Sequence, residues 1–139
     1  MADELLRTLS ISGAGMRTQG NRLRVIAENV ANANSLATEP GDLPYRRKII
    51  TFKNELDRNL GVDTVRVHEI KDDLSAFGQR FDPNHPAADE NGYVLTPNVN
   101  SLVEMMDMRE AQRSYEANLE IVKNAKNMLL STIDVLRAQ

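Results

Sequence analysis

The chain has 139 residues, one domain's worth by length, with 41% hydrophobic and only 4% aromatic residues, no Trp and no Cys. That composition argues against a large aromatic-lined pocket and excludes a disulfide framework, a thiolate metal site and a cysteine nucleophile. The net charge of −3 is spread evenly along the chain, so no segment offers the basic field that nucleic acid or an anionic membrane requires.

Residues 3–33 read as a helix. Leu5, Leu9, Met16, Leu23, Ile26, Val30 and Ala33 keep an alternating four-and-three spacing, with Ser12 and Gln19 filling the gaps. Gly13, Gly15 and Gly20 lie inside, each costing on the order of 1 kcal/mol against Ala. The end, Glu28 to Asn34, is rich in Asn, which competes for backbone hydrogen bonds. This helix has the pattern but not the propensity and needs a partner. The small residues at 12–15 also let another backbone approach closely. Acids at Asp3 and Glu4 stand where a secretory signal needs bases, and no run approaches the roughly 18 apolar residues of a membrane span. Any export is therefore expected to use no cleaved Sec signal, and no direct membrane insertion is expected.

Residues 34–44, with two prolines and a glycine, read as a loop. Tyr45 to Phe52 alternates and reads as a strand of mixed faces. A polar turn near Asn59-Leu60-Gly61 precedes a second strand, Val62 to Ile70. A short third strand, Tyr93 to Leu95, follows the turn Asn91-Gly92, while Phe77 to Glu90 reads as irregular.

From residue 98 to 137 there is neither Gly nor Pro, which predicts a helix roughly 60 Å long. Thr96-Pro97 and the Ser101/Glu104 capping-box spacing are alternative starts. Met105, Met108, Tyr115, Leu119, Val122, Leu129, Ile133 and Leu136 form the stripe, with Gln112 and Lys126 interrupting it. Leu102, Ala111, Ala125 and Met128 widen the stripe, so the helix is expected to touch more than one neighbour. The fold class is α+β: terminal helices pairing as a coiled coil, with a small β-rich insert between them. The expected division is residues 1–35, 36–96 and 97–139.

No catalytic constellation emerges. His68 and His85 lack metal-ligand spacing and have no cysteine to complete a site. Asp82, Asp89 and Glu90 do not follow calcium-loop spacing. Gly13-Ala14-Gly15 lacks the strand and third glycine of a phosphate loop. Asp72-Asp73 reads as solvent-exposed, and Arg46-Arg47-Lys48 is expected to pair with acids on a neighbour. The expectation is no enzyme, no cofactor and no metal site.

Five stretches go beyond pattern. RVIAENVANANS (24–35) resembles the asparagine-rich signature of bacterial flagellar rod and hook proteins. PYRRKIITF (44–52), FDPNHPAADENGYV (81–94), PNVNSLVEMMDM (97–108) and SYEANLEIVKNAKNMLL (114–130) are similar to the remaining blocks of that family's proximal rod branch. The chain departs from the family at Leu36–Leu43 and at Gly13-Ala14-Gly15-Met16. The resemblance implies a structural subunit of the basal-body rod in the periplasm, exported through the flagellar type III apparatus. It further implies helical self-association and contacts with other rod proteins and the basal-body base. Its signature positions are Asn29, Asn32, Asn34, Pro44, Tyr45, Arg46, Arg47, Asn98, Asn100, Glu104, Met105, Asp107, Tyr115, Glu116 and Asn118. All of these except Asp107 and Glu116, with the stripe residues Leu23, Ile26, Val30, Leu102, Met108, Leu119, Val122, Leu129 and Ile133, form the candidate subunit interface. The alternative reading is a soluble coiled-coil adaptor that dimerises through the same heptads and uses the insert as a binding module.

Overall fold

A computed structural model describes residues 2–137. Helix α1 (Ala2–Ala31) is followed by β1 (Lys48–Asp57), β2 (Val62–Asp72), β3 (Gly78–Phe81), β4 (Tyr93–Thr96) and helix α2 (Ser101–Arg137). Strands β1 and β2 form one two-stranded sheet, and β3 and β4 another. Two long terminal helices thus flank a small β insert, the α+β layout read from the sequence.

Three local features differ from expectation. The first is the start of α2. The side-chain oxygen of Asn100 accepts the main-chain N–H groups of Leu102 and Val103, which makes Asn100 the N-cap. Thr96 is spent in β4, and the Glu104 carboxylate is turned inward and unable to close a capping box. The second is β1, which begins at Lys48 because side chains engage the backbone ahead of it; Asn98 Oδ1 takes the Arg47 N–H at 2.8 Å. The third is β3, which lies in the stretch read as irregular. Its four residues are all exposed and show no alternation, but they pair antiparallel with β4, Gln79 opposite Leu95 and Phe81 opposite Tyr93.

By internal contacts the chain divides into two units. The first gathers Met1–Leu23, Thr51–Glu69 and Arg109–Gln139. Here α1 is covered on two sides. Thr18 donates its hydroxyl to the Val65 carbonyl of β2 at 3.1 Å. On the other side, Gly15 meets α2 so closely that a β-carbon there would stand 2.9 Å from Asn118 Nδ2. An ion pair, Arg22 to Glu110 at 3.7 Å, ties the helices further along. The glycine that weakens α1 by propensity is the residue that lets α2 in.

The covered line on α2 is turned by one position from the one read in the sequence. Glu104, Met108, Ala111, Tyr115, Asn118, Val122, Ala125 and Leu129 are buried or half-buried, whereas Met105, Gln112 and Lys126 are exposed. Large and small residues alternate along it, Ala111 and Ala125 being fully buried. Ala111 and Ala125, read from the sequence as flanking the stripe, stand at its centre.

The second unit comprises Arg24–Ile50 and Ile70–Met108. Its buried side chains include Val25, Ile26, Ala37 and Val94, and also two polar ones, Asn29 and Glu104.

Candidate functional site: a buried polar clamp

Within the second unit, Asn29 near the end of α1 makes all the hydrogen bonds a carboxamide can make. Its Nδ2 donates to the Lys48 carbonyl at 2.8 Å and to Glu104 Oε2 at 3.1 Å. Its Oδ1 accepts the Lys48 N–H at 2.9 Å and the Tyr45 hydroxyl at 2.9 Å. The side chain thus pairs with the Lys48 main chain as a neighbouring strand would, satisfying both groups at the start of β1.

Glu104, only 1% exposed, is the most deeply buried acid of the described residues. Its other oxygen, Oε1, accepts from Arg47 Nε at 2.6 Å. Arg47 reaches on to Asp73 Oδ2 at 3.3 Å. The Lys48 ammonium pairs with Glu28 on α1. Arg46 donates to the carbonyls of Asp73 and Ser75 and lies over the Phe77 ring, 4.0 Å from its centroid. A charge buried this deeply is tolerated because it is both paired and hydrogen-bonded.

The electrostatics follow from this packing. Burial, and then the negative charges of Glu28, Asp72 and Glu104, push the Tyr45 phenol up to about 12. Burial works to lower the Arg47 guanidinium, but the hydrogen bond and charge of Glu104, and then those of Asp73, outweigh it and raise it. Hydrogen bonds from Ser75 hold the Asp73 carboxyl below its ordinary value, with Arg47 adding to the effect. These groups are saturated by one another, and no nucleophile stands beside a base. The arrangement holds elements together.

The structure gathers part of the expected set into this clamp: Asn29, Tyr45, Arg47, Asn98 and Glu104. Pro44 and Ile26 are buried beside it in the same unit. Asn32 serves its own helix end, donating to the Glu28 carbonyl, while Asn34 is exposed. Leu23, Val30, Met108, Tyr115, Asn118, Leu119, Val122 and Leu129 are half-buried. Asn100, Leu102, Met105 and Ile133 are exposed.

Some readings change. The basic run Arg46-Arg47-Lys48 does not wait for acids on a neighbour, since Arg47 and Lys48 find theirs within the chain. Asp73 is not a free surface acid either, and with Lys48 it was missed as part of the clamp. The available signal was Asp73-Leu74-Ser75, a turn in which the Asp73 carboxylate accepts the Ser75 N–H. Two acids of the loop 82–90 are structural: Asp89 Oδ1 accepts the N–H groups of Asn91 and Tyr93, and Asp82 pairs with Arg80. His85 accepts the Ala87 N–H through Nδ1. No group of three or more metal-binding side chains exists among the described residues, and no described helix is long and apolar enough to cross a membrane.

Comparison with known proteins places this architecture. Residues 90–135 match the family described as flagellar basal body rod FlgEFG protein C-terminal. The chain is 48% identical over 136 residues to the flagellar basal-body rod protein FlgC of Agrobacterium fabrum, covering 98% of each chain. It is 39% identical to FlgC of Buchnera aphidicola over 94% of this chain and 97% of that one. With FlgC of Salmonella typhimurium the identity is 36%, over 93% and 96%. Full-length likeness at these levels shows that this protein belongs to the FlgC family of flagellar basal-body rod proteins.

Proposed function

We propose that the chain works as a non-enzymatic structural subunit of the flagellar basal-body rod, stacking helically with copies of itself and with other rod proteins. In this reading the segments 1–35 and 97–139 build the inner layer of the shaft and export channel as a coiled coil, and 36–96 faces outward. The type III export apparatus delivers the subunit, and the basal-body base receives it at the proximal end.

The observation that supports this reading is the uncovered side of α2. Val103, Met106, Ile121, Met128 and Val135 are all exposed. They recur at helical spacing on a face away from the covered line. A 37-residue helix with one apolar face used inside the chain and a second left open is suited to neighbours on that second face. The test is Ile121→Glu on the open face. It should leave unfolding within about 0.5 kcal/mol of the parent, as a surface change does. It should abolish swimming and remove the chain from isolated basal bodies. Normal swimming would refute the reading, and a discrete dimer of fixed size would favour the adaptor.

A further inference from the structure

The turn 73–75 is held with unusual thoroughness for three surface residues. Asp73 N–H donates to the Arg47 carbonyl at 2.8 Å, and Ser75 N–H to Asp73 Oδ1 at 2.9 Å. The Asp73 carbonyl accepts from both Arg46 Nη1 and Asn98 Nδ2, each at 2.9 Å. The Ser75 hydroxyl oxygen accepts from Asn98 Nδ2 at 2.9 Å as well. The side chain that this scaffold displays is Leu74, which at 86% exposure is the most exposed large apolar residue of those described. A single exposed leucine is ordinary. One fixed at the tip of a cross-braced turn has already lost the main-chain freedom that docking would otherwise remove.

The same unit carries a groove of about 250 Å³ whose walls include Ala37, Leu43, Ala88 and Val94, with Asp42 and Asp89 among its acidic members. Beneath the turn, the Arg46 guanidinium bonds two carbonyls and stacks on Phe77, with no carboxylate partner among the described residues. Knob and groove therefore match twice, apolar to apolar and cation to acid. They are different surfaces of one unit, so joining them between copies leaves a free knob at one end and a free groove at the other. Such a joint is head-to-tail and propagates an open filament, not a closed dimer.

We propose that Leu74 of one copy inserts into this groove of the next copy, forming a lateral joint of the rod; the proposal rests on the rod-subunit reading. The chain's lack of cysteine makes the test direct. A Leu43→Cys/Leu74→Cys variant, expressed in place of the parent chain, is treated with a short bismaleimide in isolated basal bodies. The expected result is a ladder of cross-linked multimers that neither single variant gives. Leu74→Ser should weaken the joint about tenfold or more, from the loss of one buried leucine, and impair swimming. Basal bodies that contain the double variant but give no ladder would overturn the joint and leave the rod reading intact. Near-normal swimming of Leu74→Ser would overturn it too. Absence of the parent chain from basal bodies would bring down the rod reading, and the joint with it.

Discussion

Asn29→Ala is the sharpest perturbation of the clamp. It removes four hydrogen bonds from a side chain that is 1% exposed, leaving the Lys48 N–H and carbonyl, the Tyr45 hydroxyl and one Glu104 oxygen without that partner. Glu104 keeps Arg47, so its charge remains paired. The two main-chain groups have no such reserve, and each buried group left unsatisfied costs about 1–3 kcal/mol. The expected loss is about 3–5 kcal/mol, a large share of the roughly 5–15 kcal/mol available to a domain. With a urea slope of about 1–3 kcal/mol per molar, the midpoint falls by roughly 2 M. Urea unfolding followed by circular dichroism reads this directly.

Asn29→Asp separates hydrogen bonding from volume. The new carboxylate keeps an acceptor for Tyr45 and Lys48 but turns an oxygen toward Glu104 Oε2, where the amide now sits at 3.1 Å. Two carboxylates that close cannot both ionise without penalty, so one binds a proton at raised pH. The variant should therefore be at least as damaged as Asn29→Ala at neutral pH and recover part of its loss as acidification supplies that proton. A loss below about 1 kcal/mol for Asn29→Ala would show that water replaces the amide and that the clamp contributes little.

Tyr45 gives the clamp an alkaline limit. Its folded value of about 12 lies above the ordinary 10, so folding favours the neutral phenol. That contribution is complete below about pH 10 and is lost as the pH rises toward 12. An ultraviolet titration of Tyr45→Phe should lack the latest phenol, and its alkaline stability loss should be shallower; an unchanged titration would contradict the assignment. At the helix contact, Gly15→Ala gains about 1 kcal/mol of helix propensity. The added methyl displaces the Asn118 amide, which donates to the Ser114 carbonyl at 2.9 Å. In the parent the two effects oppose, whereas in an Asn118→Ala background the gain stands alone. Thermal melts of the four chains should show coupling of about 1 kcal/mol, and equal effects in both backgrounds would refute the contact.

Much of the fold was legible because its signals were local. A gap in Gly and Pro from residue 98 to 137, heptad spacing in residues 3–33 and the turn residues Asn59-Leu60-Gly61 each act over a few residues. Gly61 indeed sits at φ 63°, closing the β1–β2 hairpin with its N–H on the Asp57 carbonyl. Strand β3 was not legible, since it exists only through β4, some fifteen residues away. The clamp was half legible. Asn29, Tyr45, Arg47, Asn98 and Glu104 stood out through family resemblance, not through spacing. Their mutual bonds join residues 16 to 75 apart, a relation no periodicity carries.

The one-position turn of the α2 seam has a consequence for assembly. The face used inside the chain alternates Ala111, Asn118 and Ala125 with the larger Met108, Tyr115, Val122 and Leu129, while the open face carries Ile121, Met128 and Val135. On α1 the Gln19 side-chain carbonyl oxygen is buried without a hydrogen bond, a local cost to the folded chain. Small residues along the seam secure close approach and registry, which Gly15 against Asn118 illustrates. The buried ion pair contributes geometry more than net stability. A partner that covered the open face would stabilise the single copy further by mass action.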